Sequence, residues 1–391
     1  MLSSNSKQIS VAKASQLLYR NVDRLSIFRL SACRLSLVGL GAIALLGLST
    51  FDAVAAGLQV QTQASDSFLS THGSDLQRAG FLADKGLQAF SQGDRAGATE
   101  HWQGALMLYK AGGDLAGEGR MLENLSVIHR LENNADEAVA LSEQAIALYE
   151  AAGIVETQPS AYLNLGSAYR MEMRLEEAIA AYERGLGLYQ READIQGERI
   201  MLSLLAQVHK DRLDYPQAIA YQQEALALSR QIGNVAAEAE ALSELGYAYI
   251  MNDQPAPAVA VLQSALSIYQ QLKDPAQTVA VLNNLGKAAA LTQDYDLALG
   301  SYREALALFR ALDRLDQEAY VLVNMGQAQV EMGDESGAIA SYQQAIALAE
   351  TLRQRTGEPL TPRLEAAYRK LAALLQQQNR IAESHKVLSL L

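Results

Sequence analysis

The stretch LNNLGKAAALTQDYDLALGSYREALALFRALDR, residues 282–314, decides the fold of this 391-residue chain. Its apolar residues recur every three or four positions on both sides of a turn at Asp294, which predicts two amphipathic helices joined as a hairpin. Most of the pattern returns forty residues later as LVNMGQAQVEMGDESGAIASYQQAIALAETL, residues 322–352. The stretch is therefore one unit of an internal repeat.

The repeat keeps register at a period of forty residues, without gaps, through seven units. Three columns of small residues carry the register, and each third-column residue is followed by Leu or Ile. The first column, here called the anchor, is Gly86, Ser126, Gly166, Ala206, Gly246, Gly286 and Gly326. The second is Ala98, Ala138, Ala178, Ala218, Ala258, Ala298 and Ala338, and the third is Ala105, Ala145, Gly185, Ala225, Ala265, Ala305 and Ala345.

Small residues allow two antiparallel helices to approach closely, so we expect a Gly or Ala anchor to face an Ala across each hairpin. A single hairpin cannot bury its apolar face, whereas stacked hairpins share a continuous core. The sequence therefore predicts an all-α solenoid of seven to eight antiparallel helix hairpins over residues 75–391. Its last part is a C-terminal capping helix pair, and residues 57–74 are a flexible lead-in.

The repeat resembles the tetratricopeptide repeat. The resemblance rests on Leu-Gly at the anchor, Ala twelve residues later, an aromatic residue four further on in several units (Tyr182, Tyr302, Tyr342) and then another Ala. Two features depart from the family pattern. The period is forty instead of about thirty-four, as in repeats that resemble those of kinesin light chain, and the tryptophan near the start of each unit is absent. The resemblance implies a right-handed α-solenoid that binds other proteins.

Residues 1–56 carry the pattern of a secretory signal peptide. Six Lys/Arg precede an apolar run, LSLVGLGAIALLGLSTF at residues 35–51, and small residues follow it. We predict cleavage near Ala55 or Ala56 and export to a periplasmic, lumenal or secreted location. The alternative is an uncleaved membrane anchor formed by residues 35–51, although seventeen residues are short for a span of about 20 residues.

The charge and cysteine content agree with an exported protein that does not bind nucleic acid. Residues 57–391 contain 26 Lys/Arg and 42 Asp/Glu, a net charge of −16. A body this acidic repels nucleic acid and anionic lipid. The single cysteine, Cys33, precedes the predicted cleavage site. The exported chain would therefore contain no thiol and would depend on no disulfide.

No combination of residues in the sequence predicts catalysis. His129 and His209 occupy the same repeat position two units apart, too far to share a metal, and no His pair has the spacing of a helical zinc site. The Gly-rich stretch GGDLAGEG, residues 112–119, falls at a predicted turn with no strand before it. We therefore predict no catalytic residue, no metal, no cofactor and no enzyme activity.

An asparagine recurs two residues before the anchor in four of six units. The other two units carry Leu204 and Glu244 there. Asparagine is a mediocre helix former, so its recurrence needs a cause. One cause is stacking, through a hydrogen bond to a neighbouring helix. The other is implied by the family resemblance: the amide would clamp the backbone of an extended peptide in a concave groove. The residues are Asn124, Asn164, Asn284 and Asn324.

A second column, four residues after the anchor, changes from basic to apolar along the chain. It reads Arg130, Arg170, Lys210, Ile250, Ala290 and Val330. The three cations are either solvated side chains or the part of a groove that receives an acidic stretch of a partner, with an apolar stretch of the partner on the apolar residues beyond. In the second case, charge reversal at Arg130 and Arg170 would weaken partner capture more at low salt than at high salt.

The sequence thus predicts a non-catalytic scaffold or adaptor that binds a peptide or a partner's helix in the concave groove of an exported array. The site residues are Asn124, Asn164, Asn284, Asn324, Arg130, Arg170 and Lys210. The partner is a protein or peptide, with an acidic segment in the second interpretation. The alternative function is an envelope or periplasmic assembly scaffold that associates with itself.

Overall fold

The computed structural model describes residues 75–154 and 158–391. The predicted signal segment, 1–56, and lead-in, 57–74, lie outside the described residues. The described residues form sixteen α-helices and include no strand. They divide into two compact units, one ending at Asn164 and the other beginning at Leu165.

The first unit contains two complete helix hairpins and the start of a third. Its helices are α1 (Asp75–Ser91), α2 (Arg95–Gly112), α3 (Leu115–Leu131), α4 (Ala135–Ala151) and the first part of α5 (Gln158–Met171). In the first hairpin the Trp102 ring is buried, and its indole N–H donates to the carbonyl of Ala83 at 3.2 Å.

The second unit contains the rest of α5 and eleven further helices. These are α6 (Leu175–Glu192), α7 (Ile195–Asp211), α8 (Tyr215–Gln231), α9 (Val235–Met251), α10 (Pro255–Leu272), α11 (Pro275–Leu291), α12 (Tyr295–Ala311), α13 (Leu315–Met332), α14 (Glu335–Thr356), α15 (Pro362–Gln377) and α16 (Ile381–Leu388). From α6 onward each helix packs against its neighbours in sequence, and α9, α11, α13 and α15 also contact one another in succession.

The connections between helices share one design. Most of them place a residue with positive φ at the end of one helix, and an Asp or Asn just afterwards caps the next helix. Asp294, for example, accepts a hydrogen bond from the N–H of Leu297 at 3.1 Å. A left-handed residue ends a helix, and a capping side chain satisfies a free N–H of the next one. The chain therefore reverses within three residues.

The expectation that each anchor faces an alanine was wrong. A Cβ built on Gly286 would lie 2.5 Å from the ring of Tyr302, and one on Gly326 would lie 2.8 Å from Tyr342. The anchor glycines of the other units likewise face large side chains: Trp102, Tyr182 and Leu262. Glycine is required at these five positions because the large side chain occupies the space that a Cβ would need.

In one of the two repeats whose anchor is not glycine, the residue that meets the anchor is different as well. Ser126 donates to the carbonyl of Ala138 at 2.9 Å, and its hydroxyl lies 2.7 Å from that of Ser142. Ser142 stands sixteen residues after its anchor, at the position that holds Tyr302 in its own unit. A small polar pair thus replaces the glycine–aromatic contact, and the two residues change together.

The prediction of an all-α solenoid of antiparallel hairpins is confirmed. Helices contact their sequence neighbours, and the core of the second unit runs from hairpin to hairpin through the buried rings of Tyr302, Tyr342 and Tyr368. α14 extends beyond the repeat to Thr356, and α15 and α16 follow as an eighth helix pair. The right-handed sense of the solenoid stays a prediction.

Candidate functional site

The predicted site residues lie on the first helices of the hairpins, namely α3, α5, α7, α11 and α13. Repetition places equivalent residues one unit apart, so a side chain on one first helix is within reach of the next. This arrangement allows the columns either to bond one another or to face a ligand. The hydrogen bonds of each residue distinguish the two.

Two of the four asparagines bond side chains of the preceding hairpin. The amide of Asn164 donates to Oε1 of Glu123 at 3.5 Å, and the amide of Asn324 donates to Oδ1 of Asn283 at 2.8 Å. Both acceptors lie three residues before the preceding anchor, so the two contacts are geometrically equivalent. These asparagines tie adjacent first helices together, as the stacking interpretation expects.

The other two asparagines differ from this pattern. Within the described chain, Nδ2 of Asn124 is buried without a hydrogen-bond partner. Asn284 is half-buried on α11, beside Asn283. A role of the four asparagines in clamping a peptide stays a prediction.

The cations of the second column bond within the protein. Arg170 donates to Oδ2 of Asp211 and to Oε1 of Gln207 at 2.8 Å, both on the next first helix. Lys210 donates to Oε2 of Glu244 at 2.6 Å. Arg130, in the first unit, is only 5% exposed. An acidic ligand would therefore compete with a carboxylate for Arg170 and Lys210. Their role in binding stays a prediction.

A buried carboxyl, which the sequence analysis did not identify, lies beside the asparagine column. Glu123 on α3 accepts hydrogen bonds from the hydroxyl of Tyr149 and from that of Ser160, the latter at 2.7 Å. With Asn164 it therefore has three donors from α4 and α5. Burial raises the pKa of Glu123 to about 7, although the three hydrogen bonds and the charge of Arg120 oppose the shift. The signal in the sequence was a Glu between the buried residues Leu122 and Leu125.

A second buried charge lies on the first helices of the second unit. Arg199 is 5% exposed, and burial lowers its pKa. Burial raises the pKa of Glu240, and the charge of Arg199 opposes that shift. Partial neutralisation by an opposite charge makes burial of both groups tolerable. The pair therefore has a structural explanation and needs no ligand.

Neither a metal site nor a membrane span is found within the described residues. No group of three or more His, Cys, Asp or Glu there is placed to bind a metal ion. His209 instead lies with Nδ1 3.2 Å from Oδ2 of Asp214. None of the helices in that part of the chain combines the length and the apolar character needed to cross a bilayer.

Comparison with known families gives two matches. A model described as tetratricopeptide repeat matches residues 197–271 and 277–351, and a model described as soluble NSF attachment protein, SNAP, matches residues 121–231. No curated protein matches the chain.

Solved structures share the fold at low sequence identity. The apo form of the quorum sensor NprR from B. thuringiensis is 13% identical with a TM-score of 0.60, and the match covers 90% of this chain and 97% of NprR. The apo form of RapI is 15% identical with a TM-score of 0.54, covering 70% and 95%.

A third structure is a signal transduction ATPase with numerous domains that carries a tetratricopeptide repeat sensor, from Pyrococcus horikoshii. It is 14% identical with a TM-score of 0.60, and the match covers 82% of this chain and 48% of the ATPase. The family match and the forty-residue hairpin agree that residues 197–271 and 277–351 are tetratricopeptide repeats, and the solved structures share the fold of the array.

Proposed function

We propose that the protein is a non-catalytic scaffold that binds a peptide or a partner's helix. The binding surface is formed by the first helices of successive hairpins, such as α11 and α13, and we call it the first-helix face. The observation that carries the proposal is the side-chain composition of this face in the second unit. Tyr320, Asn324 and Gln327 lie half-buried on one side of α13, and Asn284 lies on the equivalent side of α11. The Tyr320 ring can stack on the side chains of a peptide, and the amide of Asn284 can pair with its backbone. Asn324 and Gln327, whose amides bond within the protein, shape the face beside them.

The structural neighbours support a binding role in general terms. NprR is described as a quorum sensor, and the repeats of the P. horikoshii protein are described as a sensor. Sensing requires that something is bound. The shared fold supports binding without identifying a ligand.

The setting we propose is outside the cytoplasm. The proposal rests on the signal-like pattern of residues 1–56 and on the absence of cysteine after Cys33 in the sequence. The alternative function, an envelope or periplasmic scaffold that associates with itself, uses the same setting.

Site-specific photocrosslinking tests the binding face. A photoreactive residue replaces Ala280 on α11, which is exposed on the side that carries Asn284. The control replaces Ala307, an exposed alanine on the second helix, α12, of the same hairpin. We expect adducts with a partner at position 280 and none at position 307.

Equal adducts at both positions would refute the assignment of the face. Adducts that contain only a second copy of the chain would favour the self-associating scaffold. Light scattering over a range of concentrations would then show a rise in mass, whereas a peptide-binding scaffold need not change mass.

A further inference from the structure

A cluster of cations lies at the C-terminal end of the first-helix face. It consists of Lys287 on α11 and of Arg363 and Lys370 on α15, and we call it the C-terminal basic cluster. All three residues reach the solvent, and the protein around the two lysines also desolvates them in part. Two of them come from the capping pair, which falls outside the forty-residue register, and the repeat columns therefore did not indicate the cluster.

Neutral oxygens hold two of these cations in place. Arg363 donates to Oδ1 of Asn324 at 2.6 Å, and its guanidinium lies 5.3 Å from the centre of the Tyr320 ring. Lys370 donates to Oε1 of Gln327 at 2.5 Å. An arginine has five N–H donors and a lysine three, so most donors of both groups stay available.

No described carboxylate forms a salt bridge with any member of the cluster. The acidic group that acts on it is Glu331, whose charge acts on Lys370 without direct contact. Arg170 and Lys210, in the predicted site, differ because each is bonded to a carboxylate of the next first helix. The positive charge of the cluster is therefore largely uncompensated within the described chain.

The electrostatics of the cluster agree with this. Burial, followed by the charge of Arg363, lowers the pKa of Lys287. Burial also lowers the pKa of Lys370; Arg363 adds to the shift, and Glu331 opposes it. The cations repel one another, and an anion placed between them would relieve the repulsion.

We propose that the C-terminal basic cluster binds the carboxylates of an acidic peptide segment held on the first-helix face. The assignment rests on the proposed binding function and adds the chemistry of the ligand. Arg363 would bind a carboxylate through its free N–H groups, Lys287 and Lys370 would add positive charge, and the amide of Asn284 is available for the peptide backbone.

The charge of the rest of the molecule favours a short ligand over a long polyanion. Residues 57–391 carry a net charge of −16, which repels a nucleic acid or an anionic membrane as a whole. A peptide with two or three carboxylates senses chiefly the charges within about 8–10 Å at physiological salt. The cluster is a local positive site on this acidic body.

The inference reverses the division of the groove expected from the sequence. There the acidic stretch was assigned to Arg130, Arg170 and Lys210, and an apolar stretch was assigned to the second half because of Ile250, Ala290 and Val330. Ile250 and Ala290 are buried, however, and do not face a ligand. The positive charge comes instead from the capping pair, at the C-terminal end of the first-helix face.

A binding titration with synthetic peptides tests the proposal on residues 57–391 purified as one chain. The probes are a fluorescent Glu-rich octapeptide, its Gln analogue, and the Glu peptide with an amidated C-terminus. We expect the Glu peptides to bind and the Gln analogue to bind at least about tenfold more weakly. The affinity should fall with added NaCl because exposed charges are screened.

Two variants and a matched control locate the site. Lys287→Gln removes one positive charge from an exposed side chain. Arg363→Gln removes the guanidinium group that would bind the carboxylate. We expect each substitution to lower the affinity for the Glu peptide about three- to tenfold and to leave the affinity for the Gln analogue unchanged. Arg303→Gln on α12 removes an exposed charge from a second helix and should have no effect. Far-UV circular dichroism checks that Arg363→Gln folds.

Each remaining outcome has a definite meaning. Equal binding of the Glu and Gln peptides would overturn the carboxylate assignment while leaving the scaffold function intact. Binding of neither peptide, or an equal loss in Arg303→Gln, would also overturn it. Loss of binding when the C-terminus is amidated would show that the cluster binds the C-terminal carboxylate instead of acidic side chains. The cluster would then still be a carboxylate site, as proposed. Adducts at position 280 test the scaffold function independently.

Discussion

At the scale of single residues, Glu123 has the most consequential environment in the first unit. It is buried, and donors on two other helices meet its carboxyl group. Its pKa is raised from 4.5 to about 7 because burial penalises the charge more than the hydrogen bonds favour it. The carboxyl is half-protonated near neutral pH, and both of its forms accept hydrogen bonds.

This pKa makes stability depend on pH. The folded-state pKa lies above the unfolded one, so the stabilisation is fully present below pH 4.5 and is lost as the pH rises through about 7. The loss approaches about 3 kcal/mol for a shift of this size. We expect Glu123→Gln, which keeps an acceptor oxygen and cannot ionise, to remove most of this dependence.

Urea unfolding at pH 5 and pH 8 measures the effect, and Glu137→Gln, at an exposed carboxyl on α4, is the control. The wild type and the control should lose stability between the two values by similar amounts. A Glu123→Gln variant with the same loss as the wild type would show that another group titrates.

Leu213 and Met173 show a local strain that the sequence did not reveal. Their φ values are 61° and 58°, and their side chains are 71% and 65% exposed. The equivalent turn residues in other hairpins include Gly93 and Gly333. A side chain in the left-handed region costs about 1–2 kcal/mol. The turn geometry prevails here because the helices on both sides are fixed by packing.

At the scale of the hairpin, the contact between the anchor and the aromatic ring sets the distance between the two helices. The aromatic ring lies flush against the glycine, and both are buried. The second hairpin of the first unit replaces the contact with two serines. Close packing of this kind makes the effect of an added methyl group depend on the position of the glycine.

Two glycines of one hairpin therefore predict opposite effects of the same substitution. Gly286→Ala would place a methyl group against the ring of Tyr302 and should destabilise the protein by about 1–3 kcal/mol. Gly300→Ala on α12 meets no atom within 4 Å and should stabilise the helix by up to about 1 kcal/mol. Denaturant midpoints of the two variants measure the difference. A gain in stability for Gly286→Ala would contradict the contact with the ring.

At the scale of the whole molecule, the two ends of the sequence carry information that the repeat does not. The capping pair at the C-terminal end introduces two cations of the proposed carboxylate site. The N-terminal pattern, residues 1–56, lies outside the described residues, and the proposed export rests on the sequence alone.

We expect the exported chain to begin just after Ala55 or Ala56, because signal peptidase requires small residues before the cut. Intact-mass measurement of the secreted protein gives the new terminus. Replacement of both alanines by aspartate should block cleavage, and replacement of both by glycine should not. A wild-type chain that stays at full length in the membrane fraction would favour the anchor formed by residues 35–51.

The sequence by itself determined the helices, the forty-residue unit and the turns, because these depend on periodicity and on local residue preferences. It did not determine which side chain each anchor faces, nor that Asn164 and Asn324 bond the preceding hairpin. Those contacts join residues sixteen or about forty positions apart, so only packing brings them together. The buried carboxyl of Glu123 and the C-terminal basic cluster were likewise decided by the tertiary structure, since burial and the meeting of charges from different helices leave no periodic trace in the chain.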